Sequence, residues 1–187
     1  MLILGVDPGL QITGYGLIET DHGHYRLVEG GIIRTNEKAA LEARLLTIRD
    51  GMTTVLKELQ PDCVIVEELY AKYAHPRTAI LMGHARGMVF LAAGEVGLPV
   101  YGYEASLVKK SLTGHGRASK GQVARMVCQM LSLPVPPSPE DVTDALALAL
   151  CHASPLRQAT ARGRSVVAKG LTRVGQEARP KRRGGRR

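Results

Sequence analysis

An aspartate closes one of the most apolar stretches of the chain, LILGVDPG, in which Leu2, Ile3, Leu4 and Val6 lead directly into Asp7. Such a run predicts a buried strand, and an unpaired carboxylate in those surroundings costs several kcal/mol. Asp7 therefore requires a partner or a function. Pro8 and Gly9 behind it stop the ladder and leave the backbone open to a ligand.

The segments that follow set this strand in a layered α/β domain. ITGYGLIET and HYRLVEGGIIRT are two further strand-like runs joined by DHG, which predicts an antiparallel hairpin. Residues 38–59 carry Leu41, Leu45, Ile48, Met52, Val55, Leu56 and Leu59 at helical spacing, and Pro61 ends the segment. DCVIVEELY reads as a strand, 76–96 as a helix, LPVYGYEA as a fifth strand, and 119–131 and 139–153 as two more helices. Alternation of helix and strand in this half implies crossovers feeding parallel strands. The expected fold is α/β: a five-stranded mixed sheet, three antiparallel strands then two parallel, with helices on both faces and no internal repeat.

The chain of 187 residues suits one domain and a tail. Its net charge of +8 is unevenly spread, for eleven Lys or Arg face the single Glu177 from residue 156 onward, whereas the preceding residues hold fourteen basic and sixteen acidic side chains. Residues 1–155 are thus read as the folded domain and 156–187 as a basic, disordered tail, ending in RPKRRGGRR, that serves as an electrostatic arm for nucleic acid. A merely solubilising tail is the competing reading. No signal peptide is visible, and no stretch approaches the roughly 18 apolar residues of a membrane span. Cys63, Cys128 and Cys151 form no CxxC pair and read as small core residues in a reducing compartment. A soluble, cytoplasmic protein is expected.

Acidic residues recur where α/β folds place their sites. Val64, Ile65 and Val66 end in Glu67 and Glu68, at a second strand terminus. Strand alternation sends these two to opposite faces, so one of them joins Asp7, and the residues alone leave open which. In PPSPEDVTDALALALCH, Ser138 reads as an N-cap, Pro139 as the first helical residue and Asp141 as the third, a capping-box pattern. Asp144 has no such role. It shares the Asp141 face and precedes a helix apolar nearly all round. Convergent carboxylates call for cations, and magnesium, bound by one or two carboxylates with waters and phosphate oxygens, suits an open cluster. Two such ions activate a water and stabilise the leaving oxygen of a phosphodiester.

GVDPGLQITGYG, VIVEELY, GHARGM and EDVTDALALAL, in that order, resemble the RuvC family of Holliday junction resolvases over about residues 1–153. The resemblance implies a ribonuclease H-like fold and magnesium-dependent cleavage of four-way DNA junctions by a homodimer, with two ions per site and manganese as a substitute. By motif, the metal-binding and catalytic acids are Asp7, Glu67, Asp141 and Asp144, the glutamate being the one directly after the apolar triplet. A branch-migration helicase complex of the RuvA and RuvB type becomes a candidate partner.

Basic residues must offset such a cluster if DNA is to approach. VKKSLTGHGRASKGQV supplies Lys109, Lys110, Arg117 and Lys120 around a glycine-containing loop. Ser119 with Gln122 predicts a capped helix whose first turn holds Lys120, an unfavourable place for a cation unless a phosphate binds there. By resemblance Lys109 and Lys120 act on DNA near the scissile phosphate, Lys120 as a catalytic residue. Tyr70, in a chain with one Phe and no Trp, is a stacking candidate that the resemblance places against the opened junction, with a weaker claim for Tyr73. Ala79, Gly83 and Gly87 recur every four residues and line one helix face, which packs either on the protein's own sheet or on a second subunit. His84 and Arg86 nearby read as interface or surface residues. The rival readings are a related nuclease acting on RNA or other branched DNA, a sugar or acetate kinase-like ATPase, and a non-catalytic nucleic-acid binder.

Overall fold

The computed structural model describes residues 1–69 and 76–154. Tyr70, Tyr73 and the basic segment lie outside the described residues.

Strand β1 (Leu2–Asp7) runs antiparallel to β2 (Ile12–Asp21), which pairs antiparallel with β3 (His24–Arg34). The β2–β3 connection is a two-residue turn, His22 and Gly23, both at positive φ as a type I′ hairpin demands. Helix α1 (Leu41–Leu59) leads to β4 (Cys63–Glu67), and α2 (Pro76–Glu95) to β5 (Val100–Tyr103). Helices α3 (Ala105–Thr113), α4 (Lys120–Leu131) and α5 (Glu140–Ala153) follow. The sheet order is β3-β2-β1-β4-β5, with β1, β4 and β5 mutually parallel.

Both faces of the central strands are covered, which is why β1 and β4 read as nearly continuous apolar runs. Leu4, Val6, Val64 and Val66 pack with Ile48 and Met52 of α1 and with Ala85, Val89 and Ala92 of α2. Ile3, Ile65 and Tyr103 point the other way, to Val108 of α3, Val123 and Val127 of α4 and Leu146 and Leu150 of α5.

Helix α5 lies unusually close to the sheet. A Cβ added to Gly5 would overlap the carbonyl oxygen of Ala145, and one on Gly14 the carbonyl of Asp141. On Gly16 it would stand 2.6 Å from Leu146 Cδ2. Small residues on both partners, with Ala145 and Ala149 on the helix, bring the first two turns of α5 directly over β1 and β2.

Four expectations need correction. Residues 105–113 form α3 rather than a loop, so Lys109 and Lys110 are helical. Strand β4 stops at Glu67, short of Tyr70. The hairpin turn is shorter than DHG, because Asp21 still pairs with His24. At α5, Pro139 itself holds the N-cap position in extended conformation and no side chain caps the helix. Ser138 is one residue too early, so the capping role of Asp141 falls away. The Ser119–Gln122 capping box is present in full at α4. Cys63 and Cys151 are buried and Cys128 partly so, and none of the three is in a disulfide. Among the described residues no helix is long and apolar enough to cross a membrane.

Candidate active site

The parallel neighbours β1 and β4 end at the same level. Gly5 is opposite Ile65 and Val6 opposite Val66, so Asp7 and Glu67 each stand one residue further on, on the α5 side of the sheet. Register and alternation together thus select Glu67 over Glu68. Glu68 is exposed and lies over Gly102, whose Cβ would stand 2.8 Å from Glu68 Cγ. Helix α5 brings Asp144 to the same place from above. Asp7, Glu67 and Asp144 line one cavity of about 250 Å³ together with Lys109 and Lys120, and Ala105, Val108, Val123, Ala147 and Leu148 form its apolar wall. Asp141, one turn earlier on α5, stays off this lining but is near enough for its charge to act on Asp7.

Negative charge dominates the cavity. Asp7 is pushed up to about 7, chiefly by burial, then by Asp144, Glu67 and Asp141, with Lys120 opposing. Glu67 is raised too, by burial and then by Asp144, while Lys109 and Lys120 pull it down. Lys120 Nζ donates to Asp144 Oδ2 at 3.0 Å and stands 3.6 Å from Glu140 Oε2. That bond to Asp144 holds the ammonium above its usual range. Among the described residues no side chain donates a hydrogen bond to Asp7, and no three His, Cys, Asp or Glu side chains surround a common point closely enough to grip an ion as they stand. Asp144 is instead turned to Lys120. The donor set is nevertheless the hard, oxygen-only kind that suits magnesium or manganese.

The electrostatics predict how stability responds to pH. Asp7 has a folded-state pKa above its ordinary value of 3.8, so it favours the folded state most at low pH and that contribution is lost as pH rises from about 4 through about 7. In metal-free solution at pH 8, Asp7→Asn should melt several degrees above the unsubstituted protein, and at pH 4 the difference should vanish. Calorimetric scans of both proteins across that range check it. Equal pH dependence in the two would mean Asp7 is not the strained carboxylate.

The remaining candidates divide. Lys109 and Lys120 reach the cavity, whereas Lys110 and Arg117 are exposed and do not line it. On α2, Ala85, Val89, Ala92 and Ala93 take the sheet side. Among the described residues a Cβ on Gly87 would meet nothing within 4 Å, and one on Gly83 only Leu69 Cδ1 at 3.7 Å, with Ala79 half-buried beside them. The stripe therefore does not serve packing against the chain's own sheet. Ile80 and Leu91, at 61% and 48% exposure, add apolar surface to that outer side. Arg86 is half-buried and bonded to the Glu67 backbone, a contact its reading as an interface or surface residue did not include, while His84 is exposed.

Sequence reasoning missed Arg86, Glu140 and the glycines under α5. A glycine inside a strand is a recognised sign of close backbone approach, so Gly5, Gly14 and Gly16 did carry a signal. Nothing in the sequence marks the Lys120–Glu140 contact.

Comparison with known proteins gives a consistent result. A family model described as Crossover junction endodeoxyribonuclease RuvC matches residues 3–152. A protein of that name from Moorella thermoacetica is 47% identical over 160 residues, 84% of this chain and 95% of the relative. One from Desulforamulus reducens is 45% identical over 153 residues, 82% and 93% of the two chains. Among solved structures, T. thermophilus RuvC in complex with Holliday junction substrate superposes with a TM-score of 0.81 at 37% identity, covering 87% of this chain and 99% of that one.

Proposed function

Because this chain belongs to the RuvC family of crossover junction endodeoxyribonucleases, we propose that it resolves four-way DNA junctions by metal-dependent hydrolysis of phosphodiester bonds at symmetric positions, in recombination and repair. The observation that carries this is the convergence of Asp7, Glu67 and Asp144 in one cavity faced by Lys109 and Lys120. Asp7, Glu67 and Asp144, with Asp141 at the rim, would hold magnesium, two ions per site with manganese as a substitute. Bound there, the metal supplies an activated water and a charge that stabilises the leaving oxygen.

The chain's own groups do the rest. Lys120, at the N-terminus of α4, and Lys109, on α3, offer cations to the phosphate next to the scissile bond, and the first amides of α4 add to their pull. Lys120 has to leave Asp144 to do so. The apolar wall limits the water that reaches the reacting phosphate. Lys110, Arg117 and the segment 156–187 extend the basic surface along the DNA, and Tyr70 would stack on an unpaired base where the junction opens. Residues 1–155 would then be the nuclease domain and the tail an electrostatic arm. The setting is the cytoplasm, beside a branch-migration helicase complex of the RuvA and RuvB type.

A four-way junction has approximate two-fold symmetry, and a two-fold dimer offers it two equivalent sites. The outer side of α2, with Ala79, Gly83, Gly87, Ile80 and Leu91, is the surface we assign to that contact. Gly87→Leu should therefore shift the protein toward monomer in sedimentation at unchanged fold, and convert paired cuts into single nicks. A fully dimeric Gly87→Leu protein would remove this surface from the interface.

The function is tested by incubating the protein with a synthetic four-way junction and with linear duplex of the same sequence, with and without magnesium. Paired nicks confined to the junction and to the metal-containing reactions are expected. Equal cutting of duplex, or of an RNA-containing hybrid, would favour the related nuclease reading. The kinase-like ATPase leaves Asp144 and its lysine partner without a task.

A further inference from the structure

Arg86 sits on α2, on the opposite side of the sheet from the carboxylates, yet it touches the chain at Glu67. Its Nε donates to the Glu67 backbone oxygen at 3.1 Å. The guanidinium stacks on Phe90, 4.3 Å from the ring centroid, one turn along the same helix. Burial pushes the Arg86 pKa down, and nearby Glu68 opposes that shift.

Ladder geometry explains why a side chain is needed there. On β4 the amides of Val64 and Glu68 point to β5, bonding to the carbonyls of Pro99 and Tyr103. The intervening odd residues therefore face β1, and the Glu67 carbonyl points to the residue after Asp7. That residue is Pro8, which has no amide hydrogen to give. The proline that ends β1 after Asp7 thus deprives the Glu67 peptide of its ladder donor, and its carbonyl must be satisfied from outside the sheet.

We propose that Arg86 is a positioning residue: its guanidinium, braced on Phe90, takes the place of the missing Pro8 amide and fixes the peptide of Glu67, so that the Glu67 carboxylate stays level with Asp7 at the mouth of the cavity. The inference rests on the reading of Glu67 as an active-site carboxylate. Arg86 contacts neither metal nor DNA in this role. Its effect passes through one peptide, across the thickness of the sheet.

Arg86→Met keeps the aliphatic stem and removes the donor. The full chain carrying it should bind manganese about tenfold more weakly by calorimetry without DNA, and show kcat for junction cleavage about tenfold lower, with KM within twofold of the parent. Introduced into Glu67→Gln, the same change should leave manganese affinity nearly unaltered, because the carboxylate it positions is gone. Should Arg86→Met fail to fold, Arg86→Lys carries the test, with a loss of threefold or more in manganese affinity expected at a near-parental melting temperature. Unchanged metal affinity in the folded variant would overturn the proposal. So would an equal loss in the Glu67→Gln background, or a loss that disappears at protein concentrations that restore the dimer, which would assign Arg86 to the subunit contact. A parent protein that binds manganese but leaves junctions uncut would instead defeat the reading of the function.

Discussion

Asp7→Asn should abolish junction cleavage, by on the order of 10³-fold or more, while junction binding is retained or strengthened. A metal ligand lost from a phosphodiester-cleaving site removes several kcal/mol of transition-state stabilisation, at 1.36 kcal/mol per factor of ten. The same change removes a negative charge from a cavity where three acids, with Asp141 close by, face two lysines, which lowers the repulsion felt by phosphate. Opposite signs on chemistry and on binding distinguish this from unfolding. Glu67→Gln, Asp141→Asn and Asp144→Asn should behave alike, with Asp144→Asn also freeing Lys120 from its 3.0 Å bond. Glu68→Gln, at an exposed position off the cavity, should stay within about twofold of the parent. The checks are single-turnover cleavage and gel-shift binding in calcium. An inactive Glu68→Gln beside an active Glu67→Gln would show that the wrong glutamate faces Asp7.

The second large effect is expected at Gly5→Ala. Its new methyl would overlap the backbone carbonyl of Ala145, and neither a central strand nor a helix backbone yields cheaply. Overpacking of this kind costs about 3 kcal/mol or more, and at roughly 2–4 °C per kcal/mol for a chain of this size Tm should fall by about 10 °C. Cleavage should drop even at temperatures where the variant is folded, since lifting α5 carries Asp144 away from Asp7. Gly94→Ala is the control of opposite sign. Among the described residues its Cβ would meet nothing within 4 Å at an exposed helix position, so it should stabilise by up to about 1 kcal/mol and leave activity alone. A Gly5→Ala protein with parental melting and activity would mean that α5 is not held where the structure has it.

How much of this was legible in advance depends on how local the signal is. Apolar runs ending in acids, the hairpin and the Ser119–Gln122 capping box depend on neighbours in sequence, and each is where it was expected. Helix α3 was not, because its nine residues bury only Val108 and Leu112, too few to show a period, and a glycine-containing segment follows. Ser138 was a plausible cap displaced by one residue, a shift that composition cannot register. Choosing Glu67 over Glu68 required the β1–β4 register, which no single strand contains; the family resemblance supplied the same choice by motif. The contact of α5 with Gly5 and the bond from Arg86 to Glu67 join residues far apart along the chain. Tyr70 and the basic segment stand as they did, since both lie outside the described residues.

The docking of α5 over Gly5, Gly14 and Gly16 also bears on when the protein becomes dangerous to DNA. During synthesis Asp7 leaves the ribosome early and Glu67 midway, whereas Asp141 and Asp144 emerge only after the whole sheet and four helices. Until α5 settles over Gly5, Gly14 and Gly16, the nascent polypeptide has two acids of the four and no lid over its first strands. A chain interrupted anywhere before residue 140 would lack Asp141 and Asp144, and with them half of the proposed charge cluster. On the proposed roles of the four acids, translation order would act as a safety catch, because an incomplete product would lack the two carboxylates that α5 brings.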